Sequence, residues 1–241
     1  MTKKFAVFDI DGTLIRWQLY HAVVDRLAKR QLLGERASEQ LHEARMVWKR
    51  REHPTAFRQY EKALIGIYES ALPNLTPQQF DEVVEEVASE YKEQIYTFTR
   101  DLAHDLRGNG YVLIAISGSH EELVGHIARQ YGFAIWVGST YERKNNRFTG
   151  VKFVASKDKR TILETLIKSE KLTLADSVGV GDSKSDVAFL ELVEKPIAFN
   201  PDQDLFKVAR EKGWQVVVER KNMIYTLEGR DGSYVLAQTN V

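Results

Sequence analysis

Apolar residues fall along this chain in two rhythms. Phe5-Ala-Val-Phe8 is a short continuous apolar run, stopped by the polar stretch Asp9-Ile-Asp-Gly-Thr13. This predicts a buried strand that ends in a tight loop. From about residue 17 to about 95 the spacing becomes helical. Tyr20, Val23, Val24, Leu27 and Ala28 recur at helical intervals, and Leu41 to Tyr68 is helical in composition with a break near His53-Pro54. Thr76-Pro-Gln-Gln79 has a capping-box pair with proline at the first helical position. Phe80, Val83, Val84, Val87 and Tyr91 follow as one apolar stripe. This block has no strand signal.

Beyond it, strand and helix patterns alternate. Tyr111-Val-Leu-Ile-Ala-Ile116 is a continuous apolar run, as expected of a parallel strand covered on both faces. Ser119, with Glu122 three residues on, predicts a helix start, and Gly132 closes that helix. Further strands are expected at Phe133 to Val137, Asp176 to Val180, Pro196 to Phe199 and Gln215 to Val218. Helices are expected at Lys159 to Lys168, Lys184 to Val193 and Asp202 to Lys212. Asn145-Asn146 lies between two semi-apolar arms and predicts a hairpin over 139–153. A second hairpin is expected from Met223 to Ala237, around Gly229-Arg-Asp-Gly232. The whole predicts a doubly wound, mostly parallel α/β core, residues 1–16 and 96–241, with an inserted all-helical segment over 17–95.

Composition narrows the function. Lys+Arg and Asp+Glu number 34 each, so no net field draws in nucleic acid or an anionic membrane. The absence of cysteine excludes thiol catalysis, thiolate zinc sites and disulfides. The six histidines show no H-x-H or H-E-x-x-H spacing. No apolar run approaches the ~20 residues that span a bilayer, and the N-terminus lacks a secretory pattern. The expectation is a soluble, cytoplasmic protein, monomer or homodimer.

In open α/β sheets, ligands bind at the C-terminal ends of the strands. Four polar clusters fall there or at the start of the following helix: Asp9-Ile-Asp11-Gly12-Thr13, Ser117-Gly118-Ser119, Lys157-Asp-Lys159 and Gly181-Asp182-Ser-Lys-Ser-Asp186. Together they hold what phosphoryl transfer needs. The carboxylates at 9, 11, 182 and 186 suit a hard cation such as Mg²⁺. A lysine supplies charge, and the helix opening after Ser117 supplies N–H donors. Ser119 alone reads as a helix cap, and His120 as an exposed helix position. A Ser–His–Asp hydrolase is disfavoured because Ala115-Ile-Ser-Gly-Ser119 lacks the first glycine of a nucleophile elbow.

These residues resemble the haloacid-dehalogenase-like superfamily of phosphatases. Asp9-Ile-Asp-Gly-Thr13 is similar to its first motif, Ser117 to its second, Lys159 to its third and Gly181-Asp-Ser-x-x-Asp186 to its fourth. The helical block after the first motif resembles the cap of the phosphoserine-phosphatase-like branch. The resemblance implies a magnesium-dependent phosphatase acting on a small phosphorylated metabolite. Asp9 would be the nucleophile and Asp11 the general acid and then base. Mg²⁺ would sit on the Asp9 and Asp182 carboxylates and the Asp11 carbonyl. Ser117 and Lys159 would hold the phosphoryl oxygens, with Gly118 and Thr13 also counted as phosphate contacts. Asp186 would orient Lys159 or a metal-bound water, or act as a second metal ligand. Lys159 is preferred to Lys157 because Arg-Thr-Ile-Leu163 after it resembles the family's helix.

One departure bears on specificity. The family's phosphoserine phosphatases carry a glutamate after the first motif that reads the substrate amine, and Gln18 occupies the matching position here. An arginine segment that grips the substrate carboxylate has no clear match, with Arg58 as a loose candidate. Trp17, Gln18 and Arg58 are therefore the candidate specificity residues, and phosphoserine is disfavoured. Alternative readings are a phosphotransferase or mutase in the same site, or a phospho-acceptor signalling module.

Overall fold

A computed structural model describes residues 2–230 and 233–240. The chain forms two compact units: Met1–Gln18 with Tyr91–Ser139 and Val154–Val241, and Leu19–Glu90 with Thr140–Phe153.

The first unit is built on a sheet whose strands are β1 (Lys3–Phe8), β2 (Val112–His120), the first part of β3 (Ile135–Lys144), β5 (Leu172–Gly181), β6 (Lys195–Phe199), β7 (Gln215–Arg220), β8 (Met223–Arg230) and β9 (Ser233–Asn240). They lie in the order β3-β2-β1-β5-β6-β7-β8-β9. Pairing is parallel from β3 to β7 and antiparallel through β8 and β9. Phe5, Ala6, Val7 and Phe8 are all fully buried, as a central strand covered on both faces requires. Phe5 and Val7 share a core with Ile114, Ile116, Leu163, Phe189, Leu205 and Trp214. Chain order reverses beside β1, whose neighbours are β2 and β5. The polar clusters that follow these three strands therefore meet at a topological switch point, the usual ligand crevice of such sheets.

The helices of this unit are α5 (Thr97–Gly108), α6 (Glu121–Gln130), α7 (Lys159–Ser169), the four-residue α8 (Val187–Leu190) and α9 (Gln203–Lys212). Three of these depart from the sequence expectation. The pattern gave no signal for α5. Its N-terminus is capped from far along the chain, by Glu219, whose carboxylate accepts from the Thr97 and Phe98 amides at 3.1 and 2.8 Å. β2 runs on to His120, so α6 begins at Glu121, with His120 rather than Ser119 at its N-cap. His120 is fully buried, not exposed. The helix expected over Lys184 to Val193 is only a 3-10 turn, Lys184–Asp186, followed by α8. At the far edge, β8 and β9 form the second hairpin, while Asp231 and Gly232 of its expected turn lie outside the described residues.

The second unit holds α1 (Leu19–Lys29), α2 (Ala37–Lys49), α3 (Ala56–Ala71) and α4 (Pro77–Tyr91). The Thr76 hydroxyl accepts from the Gln79 amide at 3.2 Å, and the Gln79 side chain accepts from the Thr76 amide at 3.0 Å, closing the capping box. This unit also takes in the hairpin of outer β3 and β4 (Arg147–Phe153), residues that the sequence pattern grouped with the α/β part. The turn residues Asn145 and Asn146 both have left-handed φ, 51° and 58°, as a two-residue hairpin turn demands. Side chains explain the grouping. Phe148 packs edge-on to Phe80 at 5.6 Å, Tyr141 packs on Tyr68 at 5.5 Å, and Arg143 makes two bonds to Asp81 at 2.9 and 2.8 Å.

Candidate active site

The loop after β1 begins at Asp9, whose amide donates to the Val180 carbonyl at 3.0 Å and ties the loop to β5. The amides of Leu14 and Ile15 fold back on the Ile10 carbonyl at 2.9 Å, forming a tight turn. Gly12 is needed for two reasons. Its φ is +83°, and a Cβ there would run into the Asp182 carboxylate. From below, the Thr99 hydroxyl on α5 donates to the Thr13 carbonyl at 2.8 Å.

Lys159, at the first turn of α7, is 2% exposed. Its ammonium donates to Asp9 Oδ1 and to Asp186 Oδ1, both at 2.6 Å. Asp186 Oδ2 accepts from the Asp182 amide (3.1 Å), the Ser183 amide (2.9 Å) and the Ser183 hydroxyl (3.0 Å). Both oxygens of Asp186 are thus committed. The Asp11 carboxylate accepts the Ser117 hydroxyl on Oδ2 at 2.6 Å and the Ser119 hydroxyl on Oδ1 at 3.0 Å.

The electrostatics follow from burial and crowding. Burial pushes the Asp9 carboxyl up to about 7, although Lys159 pulls it down. Burial, with Asp9 and Asp186 adding to it, raises Asp182 well above the carboxylate range. Burial opposes the charge on Lys159, but Asp186 and Asp9 outweigh it, so its pKa is raised and the ammonium persists. Asp9, Asp182 and Asp186 offer oxygens within 4.8 Å of one another. Three carboxylates around one ammonium leave excess negative charge in a buried place, and an all-oxygen donor set fits a hard divalent cation.

The family model described as haloacid dehalogenase-like hydrolase matches residues 6–191. The chain belongs to this family. A histidinol-phosphatase of Neisseria meningitidis is 27% identical over 231 residues, covering 89% of this chain and 98% of the relative. A phosphoserine phosphatase of Mycobacterium tuberculosis is 27% identical over 232 residues, 88% and 69% of the two chains. A solved structure titled as a phospho-aspartyl intermediate analogue of phosphoserine phosphatase overlays with a TM-score of 0.61 at 20% identity, over 92% and 95% of the chains. The fold is theirs, a Rossmann-like core, and this haloacid dehalogenase-like hydrolase acts on phosphoric monoesters.

In this hydrolase, Asp9, Asp11, Ser117, Lys159, Asp182 and Asp186 all lie in the first unit and converge through the bonds above. Lys157 is exposed, and Lys159 is the lysine that reaches Asp9. Among the described residues, the buried Thr13 hydroxyl has no hydrogen-bond partner. Gly118 sits against Ser156, and its carbonyl accepts from the Ser139 hydroxyl at 2.7 Å. Trp17 is half-buried, and the Gln18 amide lies beside Gly12. Arg58 belongs to the helical unit, exposed on α3, where its charge acts on Glu61. Sequence reasoning missed Ser119 and Thr99. The available signal for Ser119 was its i, i+2 spacing from Ser117, which puts both hydroxyls on one face of an extended segment. Thr99 lies on the helix that gave no pattern.

Proposed function

We propose that this hydrolase cleaves a small phosphomonoester in two steps through an aspartyl phosphate on Asp9. The observation that carries the reading is that two aspartates, two residues apart, have different partners. Asp9 accepts from an ammonium, whereas Asp11 accepts from two serine hydroxyls. The first is arranged to stay a nucleophile, and the second to gain and lose a proton.

In the first step Asp9 Oδ2, the oxygen away from Lys159, attacks phosphorus. The bond to the leaving oxygen breaks, and Asp11 gives that oxygen its proton. In the second step Asp11 takes a proton from water as the water attacks phosphorus. The bond to Asp9 then breaks, releasing inorganic phosphate and restoring both carboxyl groups. Ser117, Lys159, Gly118 and Thr13 form the phosphoryl-binding side, and Lys159 neutralises the equatorial oxygens. Asp186 spends both oxygens on Lys159 and the Ser183 turn, so it positions the lysine. The Asp9 and Asp182 carboxylates and the Asp11 carbonyl would hold Mg²⁺. When bound, it supplies the charge that offsets repulsion between these carboxylates and the phosphoryl group.

The substrate class is a small phosphorylated metabolite. Gln18 replaces an anionic side chain with a neutral amide beside Gly12, so selection by amine charge at that position is weakened. Phosphoserine and histidinol phosphate, suggested by the relatives' names, belong in the same substrate panel. The test is hydrolysis of an aryl phosphate with Mg²⁺, with EDTA and with Asp9→Asn. Turnover is expected to need the metal and to fall by more than about a thousandfold in the variant. Residual turnover within tenfold of wild type in Asp9→Asn would overturn the covalent route.

A further inference from the structure

We infer that Ser119 is the positioning residue for the proton that Asp11 delivers, and that Asp11 Oδ2 is the delivering atom. This rests on the assignment of Asp11 as acid and base above. Ser117 accepts from the Ser119 amide at 3.0 Å and donates its single proton to Asp11 Oδ2 at 2.6 Å. A hydroxyl has one proton to give. Once Ser117 turns that proton to a phosphoryl oxygen, it can no longer hold Asp11. Ser119 keeps its own bond to Oδ1 throughout. The carboxyl then stays oriented by Oδ1, while Oδ2, freed of Ser117, takes up the proton carried in by the phosphate monoanion and passes it to the leaving oxygen as that bond breaks. Two serines two residues apart thus divide the work, one for the phosphoryl group and one for the acid.

The backbone around Ser119 is fixed accordingly. The Gly118 carbonyl accepts from the Ser139 hydroxyl at 2.7 Å, and that hydroxyl accepts from the Ala155 amide at 3.2 Å. His120 pairs in parallel register with Ser139, and the register shifts between Ile116 and His120, so the strand bulges across residues 117–119. In that conformation the hydroxyls of residues 117 and 119 both reach Asp11. Ser117 is fully buried, Ser119 is 1% exposed and Asp11 9%, so bulk water does not compete for these bonds.

The test compares kcat/KM, which reports events through formation of the phospho-enzyme, for p-nitrophenyl phosphate and for a simple alkyl phosphate. The aryl leaving group departs without a proton and the alkyl one does not. Ser119→Ala should lose about 10- to 100-fold on the alkyl ester, within the range of general acid catalysis. It should change by less than about threefold on the aryl ester, with KM held on both. Ser119→Thr, which keeps the hydroxyl, should recover most of the alkyl activity, and a matched melting temperature confirms the fold. Equal losses on the two esters, no loss on either, or no rescue by threonine would overturn the inference. Asp11→Asn run in parallel separates the levels. If Asp11→Asn discriminates between the esters and Ser119→Ala does not, only the role of Ser119 fails. If Asp11→Asn does not discriminate, the acid assignment fails and takes this inference with it.

Discussion

In the α/β unit, Lys159 and Asp186 are buried at 2% and 0% exposure and form an ion pair at 2.6 Å. In the helical unit, His21 is buried at 5% and is held neutral, its pKa pushed down to about 4 by burial and then by Arg45. Inside, the helical unit uses aromatic contact. Tyr60 stacks on Trp48 at 5.5 Å, His21 meets Tyr60 edge-on at 5.2 Å, and the hydroxyls of Tyr20 and Tyr141 lie 3.2 Å apart. Several of its ion pairs sit at the rim, as with Arg26 and Glu86 at 2.8 Å and Arg143 and Asp81 at 2.8 Å, while Arg45 and Asp25 pair half-buried beside Tyr60. Burying ions costs several kcal/mol each, and packed apolar residues often serve stability as well or better. A unit built for packing keeps its ion pairs in at least partial contact with water, as the helical one does even for Arg45 and Asp25. The α/β unit accepts the cost where strands β2, β1 and β5 end, and perturbed buried carboxylates mark functional sites.

The sharpest way to break this contrast is to remove the single ammonium. Lys159→Met leaves Asp9 and Asp186 buried without their partner, and about 3–5 kcal/mol of stability should be lost. Turnover should fall by more than about a hundredfold, since a charge that stabilises the transferring group is gone. Chemical denaturation and aryl-phosphate kinetics check the two effects. A Lys159→Met protein as stable as wild type would mean that the lysine does not compensate these carboxylates.

Legibility in the sequence divides along similar lines. Elements whose signals are local were readable, such as the β1 run, the α4 capping box and the Asn145-Asn146 turn. Elements held by distant partners were not. α5 buries only Thr99 and Ala103 and takes its cap from Glu219, more than a hundred residues away. The end of β2 was misplaced because Ser119 and Glu122 match a local capping pattern. Parallel pairing with Ser139 and the demand of Asp11 for a second donor override it. The start of α8 yields to Asp186, whose bonds to Asp182 and Ser183 impose a 3-10 turn. The polar clusters of the site were legible because their residue types carry the chemistry. What each side chain touches was not, since Lys159 is 150 residues from Asp9 and Ser117 is 106 from Asp11.

The second way to sharpen the contrast is pH. The folded-state pKa of His21 lies below that of an unfolded histidine, about 6.5. As pH falls below 6.5 the unfolded chain takes the proton first, so stability is lost as pH drops from about 6.5 towards 4. Fully developed, this single site costs roughly 3 kcal/mol. Asp9 has the opposite sign. Its folded pKa is raised, so in metal-free protein it gains stability as pH falls from about 7. Melting curves in EDTA between pH 7.5 and 4.5 should therefore show His21→Phe losing less on acidification than wild type, and Asp9→Asn losing more. Identical slopes for His21→Phe and wild type would show that the helical unit does not hold this histidine neutral.

The smallest effect belongs to the rim of the helical unit. Asp81 is half-exposed and Arg143 about a quarter exposed, and their two bonds have good geometry. Water and salt screen such a pair, and exposed pairs are worth about 0.2–1 kcal/mol. Arg143 also lies over the rings of Phe80 and Phe148, both at 5.4 Å, so its stem and guanidinium stay packed when the acid is neutralised. Asp81→Asn should accordingly lower stability by less than about 1 kcal/mol, and the difference from wild type should shrink in 1 M salt, where the screening length is about 3 Å. A loss as large as that of Lys159→Met, and insensitive to salt, would mean that this surface pair is desolvated like the buried one and that the two units do not differ in how they hold charge.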